Sequence, residues 1–182
     1  MYSLRIFVFL AVLFTTVSAI YDFRTSRIPN WLTWSGMTLA VAGHLGLAFA
    51  TGGIHLAMRA AQTTALGAAV CALVPFLLWL VGWVGGGDVK LIAVVGAFCH
   101  AAIGMEAVFL GLCFCVTFVV LKLAWEGHLL RSIFSGVGVM ANPILPEARK
   151  FEMAPAARQT MRFGPALAAA MMFTALAHGV VG

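Results

Sequence analysis

The chain alternates long apolar runs with short polar joints, and the lengths of the runs point to helices that cross a bilayer. Apolar stretches cover residues 4 to 20, about 31 to 50, about 60 to 83, about 89 to 103, about 105 to 124 and about 164 to 181. A spanning helix needs about 20 apolar residues, so each run is of spanning or near-spanning length. The pattern predicts an all-α integral membrane protein: a single domain over residues 1–182, built as a bundle of about six transmembrane helices. Between the fourth and fifth runs only Gly104, Met105 and Glu106 mark a turn. One connection, about residues 125 to 163, is too polar to span. It reads either as an interfacial amphipathic helix over about 147 to 162 or as a disordered basic loop.

Composition sharpens this. The chain is 63% hydrophobic and 9% charged, against about 25% charged residues in a soluble domain. The net charge of +5 does not indicate nucleic acid, because the basic residues stand singly among apolar segments. Their placement sets orientation instead. Arg24, Arg27, Lys90, Lys122, Arg131, Arg149, Lys150, Arg158 and Arg162 fall on one side, and only Arg5 and Arg59 on the other. Positive charge collects in cytoplasmic loops, so both termini are expected on the outer, periplasmic side. The first run has features of a signal peptide, with Arg5 before it and Val17-Ser18-Ala19 near its end. Its charged region is weak, however, and cleavage would strand the polar cluster at 22 to 30, so a retained helix is expected.

Much of the rest reads as support for a bundle. Gly67, Ala68, Gly96, Gly104 and Gly111 suit close helix packing, and Trp31, Trp34, Trp79, Trp83 and Trp125 lie near run ends as interfacial anchors. Cys71, Cys99, Cys113 and Cys115 show no C-x-x-C spacing and read as buried apolar side chains. The five histidines are scattered, as interfacial or loop residues would be, so no metal site and no cofactor is expected. Glu106 and Glu126 have no evident partner.

The chemistry concentrates at the two aspartates of the chain, Asp22 and Asp88. Each sits where an odd-numbered apolar run meets a cytoplasmic joint, which delivers both carboxylates to one membrane depth on one side. Charged groups at the edge of hydrocarbon are functional candidates by default. Two carboxylates sharing a site hold one proton between them near neutral pH. The ionised member then takes a proton from water while the protonated member donates to a scissile carbonyl, which hydrolyses a peptide bond without a metal. Gly85, Gly86 and Gly87 before Asp88 let the backbone turn sharply and let an extended substrate approach closely. A small proton-coupled or ion transporter, or a noncatalytic assembly subunit, would also carry membrane carboxylates. A transporter predicts charges nearer mid-span and internal repeat symmetry, and the sequence displays neither.

The residues that carry this chemistry also carry a resemblance. Asp22-Phe23-Arg24-Thr25-Ser26-Arg27-Ile28-Pro29-Asn30 and Gly85-Gly86-Gly87-Asp88-Val89-Lys90-Leu91 resemble the paired signatures of the type IV prepilin peptidases, membrane aspartyl proteases of the GxGD type. Arg162-Phe163-Gly164-Pro165 resembles the family's Pro-Phe-Gly-Pro stretch, with Arg162 in place of the first proline. The resemblance implies that Asp22 and Asp88 are catalytic, and that Arg24, Gly85, Gly87, Lys90, Gly164 and Pro165 support them or contact substrate. It also implies a location in the bacterial inner membrane and cleavage of leader peptides from prepilins and pseudopilins at the cytoplasmic face. The larger members carry an N-terminal region with two CxxC pairs and also methylate the new N-terminus. This chain looks like the short, peptidase-only form of tight-adherence (Flp) pilus systems, and no methyl transfer is expected of it.

Overall fold

The computed structural model describes residues 2–25, 28–80, 84–127 and 163–179, and all regular structure among them is helical. Helix α1 spans Tyr2–Thr25, α2 Asn30–Leu80, α3 Gly86–Trp125 and α4 Phe163–Ala177. Long apolar runs take this form in hydrocarbon because a helix satisfies every backbone N–H and C=O within its own segment. Among the described residues α1, α2 and α3 are long and apolar enough to cross a membrane. Large side chains such as Phe9, Phe49, Leu66 and Phe109 are exposed, a distribution that costs free energy in water and none in lipid.

The boundaries differ from the expected ones in informative ways. Helix α1 continues past the apolar run to Thr25, which places Asp22 inside its last turn and Arg24 where a cation meets the helix's negative end. Asp88 likewise lies within the first turn of α3. The polar joint expected near residues 51 to 59 is helical except at Gly53 (φ 68, ψ −161), since Ile54, Leu56, Ala57 and Met58 favour continued helix. The turn expected at Gly104 falls instead at His100 (φ 59, ψ 179). Gly104 is used for packing: a β-carbon placed there would lie 2.7 Å from the Cys71 sulfur and 3.1 Å from the Cα of Gly96. A straight helix would separate residues 96 and 104 by about 12 Å, so the chain doubles back at His100.

The described residues fall into two compact units, one made of those up to residue 114 together with 163–179, and the other of residues 115–127. In the first, a seam of small residues lets helices approach closely. Gly67 and Gly96 stand backbone to backbone, and the carbonyl of each fills the place a β-carbon on the other would need. Helix α1 packs along α4. The α1 hydroxyls of Thr15 and Ser18, both fully buried, donate to the carbonyls of Ala11 and Phe14 at 2.8 Å and 2.9 Å, so they cost little in a dry interior.

Several side chains depart from expectation. His44 is buried, stacked on Phe7 with ring centroids 3.6 Å apart and 4.6 Å from His100; it is neither interfacial nor in a loop. Its Nε2–H donates to the Phe98 carbonyl at 3.1 Å, a group that the break at His100 removes from the regular helical ladder. Glu106 has a partner, His178, at 2.8 Å. In the second unit Glu126 pairs with Lys122 at 3.9 Å. Cys71 and Cys99 are buried, but Cys113 is exposed and Cys115 half-buried, so the second pair does not belong to the core. The helix expected at about 147 to 162, together with Arg27, Trp83 and Arg162, lies outside the described residues.

Candidate active site

Three stretches far apart in sequence converge on the carboxylates. Pro29 cannot continue a helix from α1, and its carbonyl instead accepts from Leu32 N–H at 3.1 Å, opening α2 at Asn30. The Gly85 carbonyl opens α3 in the same way, accepting from Asp88 N–H at 3.1 Å. These two helix starts lie side by side. A β-carbon on Gly87 would touch the Ile28 side chain at 3.6 Å, and Lys90 Nζ donates to Asn30 Oδ1 at 2.9 Å. The third stretch is the start of α4, where Gly164 N–H donates to Asp22 Oδ2 at 3.2 Å.

That last contact explains how a carboxylate tolerates burial. Asp22 is only 6% exposed, and a buried carboxylate without hydrogen bonds is expensive. The first N–H groups of any helix lack intrahelical acceptors and carry partial positive charge. The Asp22 carboxylate, in the last turn of α1, supplies the acceptor that the start of α4 lacks. Asp88 stands in the first turn of its own helix, where its N–H donates to the Gly85 carbonyl. Glycine is needed at residue 164, because a β-carbon there would lie 2.9 Å from Asp22 Oδ2 and 3.1 Å from its Cβ. At Gly85 a β-carbon would come within 3.3 Å of Asp88 Oδ2.

Of the residues singled out in the sequence, Gly164 contacts Asp22, Gly85 contacts Asp88, and Gly87 and Lys90 meet Ile28 and Asn30 in the stretch that follows Asp22, with Pro165 beside Gly164 in the first turn of α4. Arg24 is exposed on the last turn of α1. The sequence reading passed over Ile28 and Asn30 as individual residues. Both stand in the Ile-Pro-Asn stretch, and what marks them is their contact with the glycine run and Lys90, a pairing across sixty positions that no local pattern encodes.

The signature of the type IV leader peptidase family matches residues 8–120, well over half of the chain and both aspartates. The chain belongs to that family. Membership makes it a peptidase, and together with its long apolar helices a membrane one. The Gly164-Pro165 stretch lies beyond the matched region, so its place beside Asp22 is an observation of geometry alone. No curated protein and no solved structure gives a match.

Proposed function

We propose that this leader peptidase is an aspartic endopeptidase in which Asp22 and Asp88 together activate water and protonate the scissile carbonyl. The observation that carries the reading is geometric: the start of α4 donates to Asp22, and the start of α3, which bears Asp88, is tied to the start of α2 just after Asp22. One carboxylate then serves as base and the other as acid in the same turnover. Gly85 and Gly87 leave room for an extended substrate backbone beside Asp88, Lys90 ties the α3 start to Asn30, and the Gly164-Pro165 turn holds Asp22. Arg24, exposed at the end of α1, is suited to contact a substrate segment or a lipid phosphate.

The substrates in this reading are prepilins and pseudopilins of the Flp type. Their short basic leaders precede an apolar helix, and the cut falls at the cytoplasmic face of the bacterial inner membrane. The bundle passes the membrane six times, the breaks at Gly53 and His100 each dividing one long helix into two passes, with both termini outside. An enzyme with carboxylates at the ends of its helices meets the junction between leader and apolar helix at matching depth.

The test is co-expression with a Flp-type prepilin, following leader loss by gel shift. Asp22→Asn and Asp88→Asn keep side-chain size and remove the acid, and each is expected to lower the cleavage rate by about 10²- to 10⁴-fold. Wild-type-like cleavage by either variant would sink the two-aspartate mechanism.

A further inference from the structure

At the end of the bundle away from the carboxylates, the two arms of α2 on either side of Gly53 flank an open pocket of about 310 Å³. The first arm presents positions 44, 47, 48 and 51 to it and the second 56, 59, 60 and 63, in each case the spacing of one helix face. The arms face each other across a gap that their own side chains do not close. Phe7 of α1, stacked on His44, enters from the side. Counting along the helix, His44 stands about 20 Å from Asn30 and the cluster around the aspartates, so this pocket is separate from that site.

Its chemistry is lopsided. Phe7, Leu47, Leu56 and the alanines make apolar walls, and Arg59 is the one cation. The hydroxyls of Thr51 and Thr63 donate to their own helix, to the carbonyls of Leu47 at 2.9 Å and Arg59 at 3.1 Å, so the strong donors left for a ligand are those of the guanidinium. Among the described residues no carboxylate pairs with Arg59. An exposed guanidinium with no carboxylate beside it is open to an anion, and its planar fork matches a phosphate in two parallel hydrogen bonds. Arg59 lies about 9 Å along the helix from the break at Gly53, and long basic side chains near a helix end extend toward the headgroups. An apolar gap open to hydrocarbon is filled by acyl chain, since an empty one forfeits dispersion contacts.

We propose that the pocket between the arms of α2 binds an anionic phospholipid, its phosphate on Arg59 and an acyl chain against Phe7, Leu47 and Leu56. A neutral tail alone does not use the cation, and free phosphate does not use the walls.

The full chain, purified in detergent, is mixed with equal phosphatidylglycerol and phosphatidylcholine, and retained lipid is counted by native mass spectrometry. The wild type is expected to retain the anionic lipid over the zwitterionic one by about fivefold. Arg59→Gln, a change at an exposed side chain, is expected to bring that ratio to about one, Arg59→Lys to keep part of it, and Ala60→Phe to expel both lipids by filling the gap. Circular dichroism confirms that each variant retains its helix content. The proposal is overturned if the wild type retains the two lipids equally or retains neither. It is also overturned if Arg59→Gln keeps the preference, if millimolar inorganic phosphate displaces the lipid, or if a second copy of the chain occupies the gap.

Discussion

Asp22 is held by backbone that arrives from the far end of the chain, and this makes Gly164 a position where one methyl group matters. The β-carbon of an alanine would lie 2.9 Å from Asp22 Oδ2, so either the carboxylate or the start of α4 must shift and the Gly164 N–H bond must lengthen. On the proposed mechanism, displacing a catalytic group by a fraction of an ångström is costly, and Gly164→Ala is expected to lower kcat at least about tenfold. Thermal unfolding should move little. A kcat equal to wild type would remove Gly164 from the support of Asp22. At Gly53 the constraint is conformational and not steric, since nothing lies within 4 Å of a β-carbon placed there. Its φ of 68 and ψ of −161 belong to a region essentially reserved for glycine, so Gly53→Ala is expected to destabilise the protein by about 1–3 kcal/mol. Denaturant unfolding in micelles measures this, and an unchanged midpoint would mean that the arms of α2 turn elsewhere.

Among the elements, the helices and the stretches that join them were readable in the apolar runs, and the single residues at which α2 and α3 break were not. Glycine is frequent, with 19 in the chain, so nothing local distinguishes Gly53 from Gly52. A histidine is no turn signal at all. His100 bends the chain because the packing on both sides demands it: Gly67 against Gly96 and Cys71 against Gly104 bring the arms together, and His44 accepts the structural consequence by donating to the freed Phe98 carbonyl. His44→Phe preserves the ring against Phe7 and removes that donor, and it is expected to cost about 1–3 kcal/mol, the penalty of a buried carbonyl left without a partner. Gly67→Ala places a methyl group on the Gly96 carbonyl and is expected to cost about 1–3 kcal/mol or more through overpacking. Unfolding midpoints of the two variants check both figures. A neutral Gly67→Ala would show the seam to be looser than described.

For the whole molecule, orientation is the open consequence of charge placement. If six passes are made with the basic joints inside, the residues following α1 and those at the Gly53 break emerge on opposite faces. In a cysteine-free background, Thr25→Cys is therefore expected to react with an impermeant thiol reagent only from the cytoplasmic side, and His55→Cys only from the outside. Reaction of both from one side would overturn the proposed path.

Helix formation, membrane character and family membership were contained in the chain's own order of residues, because each depends on neighbours: run length against bilayer thickness, and short motifs read in place. The same order suggested that Asp22 and Asp88 share a depth, since both mark the ends of apolar runs. What had to await the folded chain were relations between distant positions: Lys90 on Asn30, Gly164 on Asp22, His44 on Phe98, and the pocket left between the arms of α2. A carboxylate's acceptor geometry, a glycine's closeness to a backbone and a gap between helices are properties of two surfaces meeting. They are set by packing, which local sequence constrains without specifying.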